Sequence, residues 1–178
     1  MKNRWYVIGI LAFCASVANA VYITEGTREL RTSGSYQFAS EDGPALDVKL
    51  GLGLFVFDGI YIGIIGGLGD SDRVRQYDVG LAVEYNYDSG TVLIPYLGLV
   101  AGWSESRLSF TDPDGSSRRE TNDGFLVGAE SGVKYFIAEN IAISLAYLFE
   151  WADDDVFLDR DKAKDTNNSL QLGMRFYF

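Results

Sequence analysis

The segment Asn168-Ser169-Leu170-Gln171-Leu172-Gly173-Met174-Arg175-Phe176-Tyr177-Phe178 alternates apolar and polar residues up to the last position of the sequence. Successive side chains of a strand point to opposite faces, so the apolar residues share one face: Leu170, Leu172, Met174, Phe176 and Phe178. A soluble domain has little reason to finish on three aromatic residues, whereas a transmembrane barrel places the apolar face of its closing strand against lipid. This segment therefore predicts a membrane-embedded β-barrel.

The N-terminal segment predicts export. Lys2 and Arg4 precede an apolar run over residues 5–17, and Ala18-Asn19-Ala20 supplies a small-x-small cleavage site. These features are typical of a secretory signal peptide over residues 1–20, followed by a barrel domain over 21–178. The apolar run is shorter than the roughly 20 residues that a membrane-spanning helix needs.

The composition agrees with one exported β domain. The chain has 178 residues, 20 glycines, no histidine and a net charge of -10, and Cys14 is its one cysteine. Phe13 precedes Cys14 where a lipoprotein signal places a small residue, which disfavours lipidation; Cys14 would leave with the signal peptide. The acidic balance disfavours nucleic acid as a partner.

Alternation recurs in eight segments, and this predicts an all-β fold, an eight-stranded antiparallel transmembrane β-barrel. The predicted strands cover residues 29–38, 46–54, 60–69, 77–86, 91–103, 125–135, 141–151 and 168–178. In the third strand Ile65 falls among inward glycines, and in the fifth Pro95 interrupts the donor ladder and is expected to mark a bulge.

The connections and aromatic residues predict an orientation. An even strand number places both ends of the barrel domain on the periplasmic side, with short turns there and long external connections at 104–122 and 153–166. One predicted aromatic girdle comprises Phe57, Tyr61, Tyr85, Tyr87, Tyr135, Phe176 and Phe178. The external girdle comprises Phe38, Tyr77, Trp103, Phe125 and Trp151.

These features together resemble the small eight-stranded outer-membrane barrels of the OmpA/OmpX-like group. The resemblance implies an outer-membrane location, contact with outer-membrane lipid and lipopolysaccharide, and insertion by the barrel assembly machinery as a monomer. It also implies that the terminal aromatic residues, Phe176 and Phe178, form the insertion signal. The group includes anchors, adhesins, narrow channels and a few lipid-modifying enzymes, so membership alone does not give a function.

A secreted lipocalin-like barrel is the rival fold, and it would place apolar side chains inside and polar ones in water. The predicted inward face instead carries six acids and four bases: Glu29, Arg31, Asp47, Lys49, Asp78, Glu84, Glu130, Lys134, Glu150 and Arg175. Such charges could not line a cavity for an apolar ligand. They predict either a paired ionic core that fills the barrel or the lining of a gated pore. The inward glycines leave room either for water or for the side chains of Tyr61 and Tyr96.

Catalysis and cofactors are not expected. Without histidine, a Ser-His-Asp triad, a histidine general base and the usual Cys/His metal sites are unavailable. The acidic loop residues Asp153, Asp154 and Asp155 suit either a solvated external loop or a site for divalent ions that bridge lipopolysaccharide phosphates. The sequence therefore predicts a non-enzymatic barrel that supports envelope integrity or surface interaction through its external loops. The alternative is a narrow porin-like channel for small or hydrophobic solutes.

Overall fold

A computed structural model describes residues 23–37, 45–70, 74–111, 117–154, 156–159 and 162–178. It contains the strands β1 (Arg28–Gln37), β2 (Ala45–Phe57), β3 (Ile60–Asp70), β4 (Val74–Asn86), β5 (Leu93–Thr111), β6 (Ser117–Ala138), β7 (Ile141–Ala152), β8 (Phe157–Asp159), β9 (Lys162–Lys164) and β10 (Thr166–Tyr177). Within these ranges, no helix has the length and apolar character of a membrane span. The predicted signal peptide lies outside the described residues.

Eight of the strands close into one antiparallel barrel in the order β1-β10-β7-β6-β5-β4-β3-β2. The C-terminal strand β10 closes the sheet by pairing with both β1 and β7, so the predicted fold class and the predicted role of this segment in the sheet are confirmed. The two short strands β8 and β9 form a separate hairpin within the β7–β10 connection.

The two faces of the barrel wall are opposite in polarity. Leu97 is 63% exposed on the outer face, whereas its neighbour Tyr96 is 3% exposed in the interior. The same alternation of exposed apolar and buried residues continues along β7 and β10. Apolar residues outside and charges inside are the arrangement of a membrane barrel and the reverse of a lipocalin. The lipocalin alternative is therefore rejected.

One end of the barrel, here called the turn end, carries the short connections 58–59, 87–92 and 139–140. The first and last described strands also meet there, because Arg28 and Phe178 exchange backbone hydrogen bonds of 2.9 and 3.0 Å. Gly59 has a φ of 75°, the left-handed conformation that lets this turn span two residues. The opposite end is here called the loop end, and its connections between barrel strands cover 38–44, 71–73, 112–116 and 153–165. The long connection predicted at 153–166 is confirmed, whereas 71–73 and 112–116 are shorter than 87–92.

Two strands extend further than their sequence pattern predicted. The connection expected at 104–122 is mostly a β5–β6 ladder, which continues from the Trp103–Phe125 pair to the Thr111–Ser117 pair. Hydrophobic alternation stops at Trp103 because the extension leaves the lipid layer and its outer face no longer needs apolar residues. Hydrogen bonding between strands does not depend on that alternation, so the ladder continues.

Three local predictions are corrected or resolved. Tyr61 does not belong to the outer girdle: it is fully buried, because it has the parity of the inward glycines in β3. Pro95 does not mark a bulge. Its carbonyl accepts from Tyr87 N–H at 2.9 Å, just beyond the end of β4. Because the β4–β5 ladder ends there, the backbone donor that proline lacks costs little. Ile65 is inward and packs against the buried core.

Candidate functional site in the barrel interior

Side chains of the described residues occupy the barrel interior in successive layers, beginning at the turn end. The layer at the turn end is mainly aromatic and contains Phe55, Tyr61, Phe136 and Tyr177, together with Ile94. The rings of Phe55 and Tyr61 have centroids 5.6 Å apart, and those of Phe136 and Tyr177 are 5.0 Å apart. These are ordinary aromatic contact distances, so the layer is packed.

Above the aromatic layer, Arg175 is the centre of a buried network. Its Nη1 donates to Glu29 at 2.6 Å and to Glu84 at 3.1 Å, and its Nη2 donates to the Tyr96 hydroxyl at 2.9 Å. The Tyr96 hydroxyl in turn donates to Glu130 at 2.5 Å. Because β10 and β4 lie on opposite sides of the barrel, the pair Arg175–Glu84 crosses the lumen.

Two further bases complete this network. Lys134 donates to Glu29 at 3.1 Å and also to Glu84. Arg31 Nη1 lies 3.6 Å from both Glu84 and Glu130. The central cluster thus contains three acids and three bases, all less than a tenth exposed. Opposite charges in equal number offset the cost of burying each one, which is high for an isolated charge.

Glycines in the wall make room for the large inward side chains. A Cβ at Gly51 would lie 2.7 Å from Arg31 Nε, and one at Gly132 would lie 2.8 Å from the Tyr96 ring. Both distances are far below van der Waals contact. The inward glycines predicted from the sequence therefore accommodate packed side chains at these positions.

A second, acidic layer lies nearer the loop end. Lys49 on β2 donates to Glu150 across the barrel, and Gln76 donates to Asp78 at 2.9 Å. Asn167 donates to the other oxygen of Glu150 at 3.1 Å. A cavity of about 20 Å³ is lined by Lys49, Asp78 and Glu150 among others. That volume holds about one water molecule.

Part of the β7–β10 connection packs against the barrel wall at the loop end. Val156 and Phe157 are buried against Leu126 and Ala152, and these four residues are here called the cap. Asp153 fixes the start of this connection: its Oδ1 accepts from Phe125 N–H at 2.6 Å, and its own N–H donates to the Phe125 carbonyl at 3.0 Å. An apolar pair within an acidic loop was the one sequence signal for this cap.

All ten predicted inward charges lie in the interior, where Asp47 and Asp78 are the most exposed to solvent. The sequence did not reveal the polar partners Gln76, Ser144 and Asn167, because uncharged residues on an inward face have no distinctive pattern. Ser144 Oγ, for example, accepts from Arg175 Nε at 3.4 Å.

The predicted divalent-ion site at the three loop acids can be followed in the structure only at Asp153 and Asp154. Asp153 binds backbone, the Asp154 carbonyl accepts from Val156, and Asp155 lies outside the described residues. Among the residues with described positions, no group of three or more His, Cys, Asp or Glu is placed to hold a metal ion. The terminal residue Phe178 is 63% exposed at the turn end and Phe176 is half-buried on the outer face.

Comparison with known families agrees with this architecture. The family model of the outer membrane protein beta-barrel domain matches residues 7–178. The chain belongs to this family. The barrel is therefore a transmembrane protein of the outer membrane of Gram-negative type, as the terminal strand predicted.

Solved structures share the fold at low sequence identity. Neisserial surface protein A has a TM-score of 0.59 at 15% identity, covering 92% of this chain and 100% of that one. The N-terminal barrel domain of Pseudomonas aeruginosa OprF has a TM-score of 0.55 at 22% identity, covering 86% and 98%. Two structures of Ail, the attachment invasion locus protein of Yersinia pestis, each have a TM-score of 0.51, at 16% and 17% identity. Both comparisons cover 87% of this chain and 100% of that one. No curated protein matches the sequence.

Proposed function

We propose that this protein is a non-enzymatic, monomeric outer-membrane barrel with a closed lumen, whose loop end mediates surface interaction. The observation that carries the proposal is the occupation of the lumen at successive levels by aromatic rings, by charge pairs that cross it and by the cap. A solute would have to displace all three. This arrangement favours the paired ionic core over the narrow channel that the sequence left open.

Planar-bilayer conductance of the refolded mature protein tests the closed lumen. Heat-dependent gel mobility first establishes that the barrel has folded. We expect a folded protein without discrete conductance steps. Reproducible steps whose ion selectivity changes in Glu130→Gln would overturn the proposal in favour of a channel.

The β5–β6 hairpin supports the surface role. It extends eight residues beyond Trp103, from Ser104 to Thr111, or about 26 Å at the usual strand rise. In this architecture the longer connections face the outside of the cell. Two proteins of similar fold are named a surface protein and an attachment invasion locus protein, and these names agree with the proposal, although the likeness itself extends only to the fold.

Shortening this hairpin tests the surface role. Replacing residues 107–121 with a two-residue turn leaves the lipid-spanning part of β5 and β6 unchanged. We expect cells that display the shortened barrel to adhere less to host-cell surfaces, while detergent sensitivity of the envelope stays unchanged. Equal adhesion by both forms, at equal surface level and gel mobility, would contradict surface interaction by this hairpin. Increased detergent sensitivity would instead indicate a role in envelope integrity.

The absence of catalysis in this proposal has a chemical basis. The whole chain lacks histidine, so the common general base of hydrolytic sites is unavailable. The buried carboxylates of the central cluster already accept from arginine and lysine. Their lone pairs are therefore committed to ion pairs.

A further inference from the structure

The segment that precedes β1, residues 23–27, lies at the turn end and is here called the strap. Thr27 N–H donates to the Thr24 carbonyl at 3.2 Å, which closes a four-residue turn. Gly26 in this turn has a φ of 86°, a conformation that glycine adopts without strain. Before the turn, Ile23 packs against the core cluster that contains the aromatic layer. The strap therefore reaches from β1 to the interior of the barrel.

The strap is held most firmly beside β1. Gly26 N–H donates to the Phe55 carbonyl at 2.8 Å, and Phe55 N–H donates to the Thr27 carbonyl at 2.8 Å. These two bonds lie next to the first pair of the β1–β2 ladder, Arg28 with Leu54. The strap thus has a fixed end, and Gly26 lies at that end.

The other end of the strap is bound to the β2–β3 turn. The Ile23 carbonyl accepts from Gly59 N–H at 3.3 Å, and Glu25 N–H donates to Asp58 Oδ1 at 2.9 Å. Gly59 is itself fixed, because its carbonyl accepts from the backbone N–H and from Nδ2 of Asn86, at 2.7 and 3.2 Å. The β2–β3 turn is therefore a rigid support for the far end of the strap.

The strap has few contacts compared with the barrel strands. Thr24, Glu25 and Gly26 are exposed, and the half-buried Ile23 supplies the apolar contact. Ordering each residue costs backbone entropy, which one half-buried side chain and exposed hydrogen bonds offset only narrowly. Segments of this kind open locally while the rest of the protein stays folded.

We propose that the strap is a closing device for the turn end of the lumen, which opens and closes by local unfolding about Gly26 while the barrel stays folded. In the closed state Ile23 shields the aromatic layer, and in the open state this layer meets water at the turn end. The closed lumen proposed above rests on the layers inside the barrel. It therefore does not depend on the strap, and the lumen can fail to conduct whether or not the strap opens.

Thiol labelling of the refolded mature protein in nanodiscs tests the strap, since both ends of the barrel there meet a water-soluble reagent. Ala142→Cys is the reporter, because Ala142 is fully buried in the same core cluster. We expect Ile23→Ala to raise the labelling rate of this reporter about tenfold or more, because the shielding side chain loses most of its contact area. Ile23→Leu keeps the apolar volume and should keep labelling slow. Asp58→Ala removes the acceptor of Glu25 N–H and should also raise the rate.

Ser104→Cys, a buried reporter at the loop end, is the matched control. Its labelling rate, the midpoint of urea unfolding and the gel mobility should stay nearly the same in Ile23→Ala. Unchanged labelling of Ala142→Cys in Ile23→Ala would overturn the proposal. An equal rise at both reporters, or a fall in the unfolding midpoint that accounts for the faster labelling, would also overturn it, because either result would mean that the whole barrel opens.

Discussion

Arg175 Nη1 lies 2.6 Å from Glu29 Oε1, and this contact joins the last strand of the barrel to the first from the inside. The same nitrogen reaches Glu84 across the lumen. The Arg175 side chain therefore both supports the closure of the sheet and fills its interior. Its removal should lower the stability of the barrel strongly.

We expect Arg175→Ala to lower the free energy of unfolding by about 3–5 kcal/mol, because it leaves buried carboxylates without their partner. Urea unfolding in detergent micelles or liposomes measures the change. Arg28→Ala on the exposed face should change it by less than about 0.5 kcal/mol. A loss below about 1 kcal/mol for Arg175→Ala would contradict a central role for this residue.

We expect Tyr96→Phe to destabilise the barrel by about 1–3 kcal/mol while the fold is retained. The hydroxyl both accepts from Arg175 and donates to Glu130, so its removal leaves two buried charged groups with one partner fewer. Tyr85→Phe on the exposed outer face is the control and should be nearly neutral. Equal midpoints of urea unfolding for the two variants would show that the Tyr96 hydroxyl contributes nothing to the stability of the barrel.

Two glycines of the lumen wall should differ in their tolerance of a methyl group. At Gly132 an added Cβ would lie 2.7 Å from the Leu145 carbonyl and 2.8 Å from the Tyr96 ring, whereas at Gly98 the nearest atoms are at 3.5 Å. Gly132→Ala should therefore cost about 1–3 kcal/mol through overpacking, and Gly98→Ala should cost much less. The prediction is checked by comparing unfolding midpoints of the two variants, and a larger loss at Gly98 would refute it.

Removing Phe157 should open the loop end. Ser104 is fully buried, and a cysteine at that position provides a reporter, since Cys14 lies in the predicted signal peptide. Adding Phe157→Ala to Ser104→Cys should raise the rate of labelling by a water-soluble thiol reagent about tenfold or more, because the cap loses its largest buried side chain. Tyr87→Ala at the turn end is the control. Unchanged labelling would mean that the cap does not limit access.

Phe178→Ala tests the predicted insertion signal. The Phe178 backbone bonds to Arg28, and its side chain is exposed, so the substitution leaves the ladder intact. We expect slower assembly into membranes that contain the barrel assembly machinery, with unchanged spontaneous refolding into detergent. An equal slowing of both processes would assign Phe178 to stability instead.

Much of the fold could be predicted from alternation alone. Strand side chains have a period of two, so assigning Leu170 and Leu172 to the lipid face places Gln171 and Arg175 inside. The same parity placed all ten inward charges. Parity also places Tyr61 inside, and its aromatic character alone does not place it in the girdle.

The pairing of those charges could not be predicted. Which acid meets Arg175 depends on the stagger of strands around the barrel, and stagger is a property of the closed sheet. The cap likewise depends on a contact that no local pattern specifies, that of Val156 and Phe157 with Leu126. The sequence by itself determined the strand faces, the acidic and histidine-free chemistry and the outer-membrane architecture, because these follow from local periodicity and composition. The tertiary structure alone decided that Arg175 meets Glu84 across the lumen and that Phe157 packs against Leu126. The first contact needs barrel closure, and the second needs the β7–β10 connection to turn inward onto β6.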